Sequence, residues 1–191
     1  MSEALIIHGI CDEYEFFEMD FPQGSHAHWI PWLQQKLLRS GIECQTPQLP
    51  SPYNPIYTDW VTVFERMYHS KIDILIGHSA GAGFLLKWPS ENTAVTLNTL
   101  VCVAPWIDPD KRFTSFLHGM NIDSTLLKRI KNIHILHSTD DMEDVCKSVK
   151  IIQSELPQGS YLFYEDKGHF CLGDLGSEQF PELWDLLFQT I

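Results

Sequence analysis

At 191 residues the chain has the length of one generous domain, enough to bury a core without disulfides, metal or a partner, so a single unit over 1–191 is expected. Hydrophobic residues at 44% and charged residues at 20% lie close to globular averages, which excludes disordered, coiled-coil and collagen-like classes. A balance of 13 basic against 25 acidic residues, formally −12, disfavours nucleic acid and anionic membrane as partners, because both repel an acidic chain at long range.

In chain order, short apolar runs alternate with longer segments of helical period. Met1-Ser2-Glu3-Ala4 runs directly into the first candidate strand, Ala4 to Ile7, with no basic region ahead of it. Trp29 to Arg39 has a helical period, with Trp29, Trp32 or Leu33, and Leu37 on one face. A second strand, Ile42 to Thr46, leads into Gln45 to Pro55, where Pro47, Pro50, Pro52 and Pro55 force an extended loop. Tyr57 to Tyr68 carries an apolar stripe of Trp60, Val61, Phe64, Met67 and Tyr68, read as plain core packing. Strands follow at Ile72 to Ile76, Leu97 to Val103, Ile133 to His137 and Ser160 to Tyr164, and helices at Gly81 to Trp88, Glu143 to Glu155 and Pro181 to Thr190. Residues 105–125 lack either period and are expected to form a small lid. Continuous apolar strands separated by helices predict an α/β class: about six mostly parallel strands with helices on both faces.

The five cysteines, Cys11, Cys44, Cys102, Cys146 and Cys171, show neither a CxxC pair nor a disulfide framework, and fit a reducing compartment. No apolar run approaches the ~18 residues a membrane span needs. A cytoplasmic protein is expected, with no membrane partner.

Asp73-Ile74-Leu75-Ile76 leads directly into Gly77-His78-Ser79-Ala80-Gly81, a GxSxG at a strand-to-helix junction. A nucleophile elbow demands this arrangement, since side chains two residues before and after the serine would collide with the neighbouring strand and helix. A glycine-rich anion-binding turn or a simple serine cap needs only part of it. A serine hydroxyl needs a base, and in this architecture the partners follow in the order Ser, Asp or Glu, His. Of His118, His134, His137 and His169 downstream, His134 and His137 fall within a strand and His118 in the 105–125 segment, whereas His169 sits in the loop after the last strand. The acid is expected after the fifth strand, in Ser138-Thr139-Asp140-Asp141, where two aspartates compete and the one not facing the histidine should cap the next helix.

The oxyanion hole is expected from the N–H groups of Ala80, after the serine, and Ile10, in the loop leaving the first strand. Trp106, Phe113, Phe116 and Phe170 are candidates for a shallow pocket wall, although each fits core or loop packing equally well. His26 and His28 form an HxH without a third ligand of clear spacing, so neither metal nor cofactor is expected.

The chain resembles the compact serine hydrolases that include retinoblastoma-binding protein nine and its bacterial relatives. The resemblance rests on His8-Gly9, His28-Trp29, Pro31-Trp32-Leu33, Leu49-Pro50, the elbow from Gly77 to Gly81, Ser138-Thr139-Asp140-Asp141 and Gly168-His169-Phe170. It implies a single-domain α/β-hydrolase with a triad of Ser79, Asp141 and His169, and a small-molecule ester, thioester or amide as acyl substrate. The choice of Asp141 over Asp140 follows from the resemblance alone. The chain departs from the family at Met142, where relatives often carry proline, and it lacks the LxCxE peptide associated with retinoblastoma binding. The rival expectation is a catalytically silent binding module on the same fold.

Overall fold

The structure, a computed structural model, describes residues 2–190. The elements run β1 (Glu3–Ile7), α1 (Glu13–Phe17), a 3-10 turn (Gly24–His26), α2 (Ile30–Arg39), β2 (Glu43–Gln45), α3 (Tyr57–Met67), β3 (Ile72–His78), α4 (Ala80–Glu91), β4 (Leu97–Val103), α5 (Leu126–Arg129), β5 (Ile130–Ser138), α6 (Glu143–Glu155), β6 (Ser160–Tyr164), α7 (Leu172–Leu175) and α8 (Pro181–Thr190). All six expected strands are present and join one parallel sheet in the order β2-β1-β3-β4-β5-β6.

Successive strand residues point to opposite faces, so unbroken burial means that both faces are covered. Every residue of β1 is buried, and β3 and β4 are buried at all but their second residue. The edge strand β6 has no buried residue.

The winding direction reverses between β1 and β3. The chain leaves β1 for β2 on one side and returns to β3 on the other. Connections leaving the carboxyl ends of two such neighbours diverge and open a crevice. Ile7 pairs with Gly77 in the register of these strands. The segments that follow, beginning at His8 and His78, therefore emerge side by side at its mouth.

The aromatic stripe of α3 is core: Trp60 and Phe64 are fully buried, with ring centroids 5.8 and 5.3 Å from Phe84 of α4. Helix α4 passes Pro89, where the residue before a proline disfavours helix, and continues to Glu91. Its final turn is held by Asn92, whose backbone N and Nδ2 both donate to the Trp88 carbonyl, at 3.0 and 2.8 Å. The short helices α1, α5 and α7 have four or five residues, too few to show a period.

Residues 105–125 contain no helix or strand, and they are pinned down rather than free. Phe116, Leu117 and Ile122 are buried, and the Asp108 carboxylate accepts from Arg112 N and Phe113 N at 2.6 and 2.7 Å. Trp106 and Arg112 of this segment border the crevice together with the loop after β1.

Candidate active site

Ser79 is the residue at which β3 becomes α4, with φ 54° and ψ −123°, a conformation that L side chains rarely adopt. Fixed partners hold it there: Ser79 N donates to Val103 O at 2.9 Å, and Ser79 O accepts from Ala82, Gly83 and Trp106 N. A Cβ at Gly77 would lie 2.5 Å from Ala82 Cα, and one at Gly81 would lie 2.3 Å from the His8 carbonyl oxygen. Both contacts are with backbone, so only glycine permits the turn. The GxSxG spacing is therefore a steric requirement of this junction.

Ser79 Oγ lies 2.9 Å from His169 Nε2, while His169 Nδ1 lies 2.9 and 3.1 Å from the two carboxylate oxygens of Asp141. A carboxylate only accepts, so the neutral imidazole carries its proton on Nδ1 and offers the Nε2 lone pair to the serine hydroxyl. The Asp141 side chain is shielded from solvent, and its Oδ1 also accepts from Met142 N at 2.7 Å. That second bond fixes the carboxylate facing the ring.

The other aspartate does not cap α6, contrary to expectation; Met142 occupies the N-cap. Asp140 accepts instead from Ser138 Oγ and from Gly168 N, at 2.5 and 3.0 Å, while Ser138 Oγ accepts from Lys167 N at 3.0 Å. These bonds, the Ser138 hydroxyl foremost, hold its carboxyl below the usual range. On the far side of the loop, Asp174 Oδ2 accepts from His169 N and Cys171 N. Two carboxylates thus grip the backbone around His169, which passes through positive φ at Gly168 and Phe170.

Three further histidines support the site. His78 Nε2 lies 2.8 Å from the His169 carbonyl, so it donates there. Burial, chiefly, pushes its pKa well below 6.5. His8 Nδ1–H donates to Gly9 O at 2.7 Å and Nε2 accepts from Leu49 N at 2.9 Å, tying the end of β1 to the proline-rich loop. Burial brings its pKa down to about 4. His28, at φ 58°, turns into the crevice and accepts from Leu172 N at 3.2 Å.

Two clefts meet at Ser79 and His169. The first, about 490 Å³, is walled by Phe16, Phe21, Pro22, Pro52 and Leu172, with His8, His28 and His78 deeper in. The second, about 380 Å³, is walled by Asp12, Trp106, Arg112, Met142 and Asp144. Ile10, Cys11, Glu15 and Cys171 border both. Ile10 thus stands beside the serine, and Ala80, the first residue of α4, leaves its N–H outside the helical ladder.

The expected aromatic wall is only partly there. Trp106 lines the second cleft, where its Nε1 donates to Asp144 Oδ2 at 2.9 Å. Phe116 instead packs in the core against Trp60, with centroids 4.6 Å apart, and Phe170 is buried against Phe180 and Tyr164. Phe113 borders neither cleft and lies 6.2 Å from the Trp106 ring. The walls that sequence reading missed come from 15–28, Pro52 and Leu172 in the first cleft and Asp12, Arg112, Met142 and Asp144 in the second; the clearest sequence signal among them is the aromatic run Tyr14, Phe16, Phe17 and Phe21 after the first strand.

The thiols bordering the clefts are unactivated. Burial foremost, then Glu15 and Asp12, raises Cys11 to about 11, and burial with Asp174 raises Cys171 to about 12. Among the described residues, no cluster of three His, Cys, Asp or Glu could hold a metal ion, and no helix is long and apolar enough to cross a membrane.

Residues 21–189 match the family model described as serine hydrolase. The YdeN protein of Bacillus subtilis (strain 168) is 22% identical over 97% of this chain and 94% of its own length. The structure of the B. subtilis ydeN gene product superposes with a TM-score of 0.78 at 21% identity, covering 100% of this chain and 98% of that one. Est1E of Butyrivibrio proteoclasticus gives a TM-score of 0.64 at 12% identity over 99% of this chain and 88% of its own.

Proposed function

The chain belongs to the serine hydrolase family, and from that premise we propose that it cleaves a small carboxylic ester, thioester or amide through an acyl-enzyme on Ser79. His169 Nε2 takes the Ser79 proton as Oγ attacks the carbonyl carbon. The resulting oxyanion is held by the N–H groups of Ala80 and Ile10, each worth about 3–4 kcal/mol to the transition state by comparison with measured donors. The imidazolium then returns the proton to the leaving alkoxide, thiolate or amine, leaving an acyl-serine. Water, deprotonated by the same nitrogen, attacks that ester and releases the acid. Asp141 keeps the ring in the tautomer that can do this and stabilises it while charged.

The observation that carries this reading is the unbroken hydrogen-bond chain from Ser79 Oγ through His169 to the shielded Asp141 carboxylate, which opens onto both clefts. A fluorophosphonate probe tests it. Wild-type protein should be labelled and Ser79→Ala should not. Folded wild type that stays unlabelled and hydrolyses no ester overturns the proposal.

A further inference from the structure

We infer that the first cleft is a subsite for an apolar chain, and that Phe16 and Phe21 of the loop after β1 set the length of chain accepted. The inference rests on the hydrolase reading above. The two clefts that share Ser79 differ in chemistry: one wall is Phe16, Phe21, Pro22, Pro52 and Leu172, while the other sets Asp12, Arg112 and Asp144 among Trp106, Met142 and Val145. A hydrocarbon chain attached to the reacting carbonyl or its leaving group is covered more continuously by apolar walls in the first. Its volume of about 490 Å³ lies within the ~300–1,000 Å³ typical of sites for small organic ligands.

The apolar character does not end at the cleft. Phe16 and Phe17 pack at a tilt against Tyr53, with centroids 5.0 and 5.5 Å away, and Phe21 lies edge-on to Tyr14 at 6.3 Å. Phe17 is 64% exposed and Met19 is 96% exposed, so the outer end of the subsite continues into an apolar rim. These side chains contribute little to the core, because α1 has no buried residue. Their exposure is explained by a ligand that covers them and that is joined to the group bound at Ser79. An apolar chain fits a surface that interleaves such residues with Glu13, Glu15, Glu18 and Asp20, whereas an anionic one is repelled.

Alkyl fluorophosphonates of increasing chain length read the subsite directly. Ser79 Oγ attacks phosphorus, the P–F bond breaks, fluoride leaves and the serine proton passes to His169. The second-order labelling rate should rise about fourfold per methylene, the equivalent of ~0.8 kcal/mol of apolar burial, from ethyl until the cleft is full. Phe21→Ala should cut the octyl-to-ethyl ratio about tenfold, and Phe21→Trp should shorten the optimum chain. Phe188→Ala, at an exposed site on α8, should leave the ratio unchanged. Labelling independent of chain length, or an equal loss for ethyl and octyl probes in Phe21→Ala, overturns the subsite. Failure of every probe to label Ser79 sinks the hydrolase reading instead.

Discussion

Two adjacent carboxylates, Asp140 and Asp141, have the same chemistry and different work. The Asp141 side chain is shielded from solvent with both oxygens near His169 Nδ1, whereas Asp140 reaches Ser138 Oγ and the Gly168 N–H. Asp141→Asn keeps the shape but can present an N–H to the ring and impose the wrong tautomer, so kcat should fall about 10⁴-fold. Asp140→Asn leaves the tautomer alone and loosens the loop, so the loss should stay within about 10². Steady-state kinetics on one activated ester compares them, and a larger loss in Asp140→Asn refutes the assignment. Backbone strain at Ser79 gives a second expectation. At φ 54°, glycine is relaxed where alanine is not, so Ser79→Gly should be more stable than Ser79→Ala by about 1 kcal/mol. Urea denaturation of the two inactive variants measures the difference.

Among the elements, the contrast is between α4, buried along most of its length, and α1, which buries nothing. Helix α4 sits at the carboxyl end of β3 because its first residues are Ala80, Gly81, Ala82 and Gly83, small enough for close approach to the sheet. Helix α1 is held by local bonds such as Asp12 N to Glu15 Oε2 at 3.2 Å and by surface contacts of Phe16 and Phe17 with Tyr53, with no buried residue. Amides of residues 13–17 should therefore exchange with solvent orders of magnitude faster than those of 84–88 in hydrogen-exchange mass spectrometry. Equal protection of the two would mean that α1 is covered in solution.

The same distinction explains what was legible at this scale. Strands and long helices are periodic and announce themselves, and all six strands were readable. The cleft walls were not. Phe116 and Phe170 look like Phe16 and Phe21 in sequence, and only burial separates the first pair, packed in the core, from the second, which faces the crevice.

For the molecule as a whole, buried histidines should govern acid stability. Burial lowers the pKa of His8 to about 4 from 6.5, and shifts His28, His78, His134 and His137 the same way. The folded state favours their neutral form, so that stability is complete above pH 6.5 and drains away as pH falls from there towards 4. His8 alone accounts for about 3 kcal/mol across this window. Lowered carboxyls such as Asp140 and Asp123, the latter brought to about 2 chiefly by the Thr125 hydroxyl, act the same way from about pH 4 downward. Urea midpoints at pH 7, 5.5 and 4.5 should fall steadily, and His8→Gln should flatten the fall. An unchanged slope in that variant contradicts the role given to His8.

By itself the sequence determined the α/β class, the strand-turn-helix at Ser79 and the chain order that singled out His169, because these follow from local sterics and short-range periodicity. The residue pattern left the two aspartates level, with only the family resemblance pointing to Asp141, and tertiary structure placed that one against the histidine; it alone decided which aromatics line the clefts, and that His8, His78, Asp140 and Asp174 brace the loops around the serine. Each of those outcomes depends on which groups distant in sequence are brought into contact, within about 3 Å for the hydrogen bonds. That proximity is created only when β1 pairs with β3 and β5 with β6, so that the loops leaving these four strands meet at the same edge of the sheet.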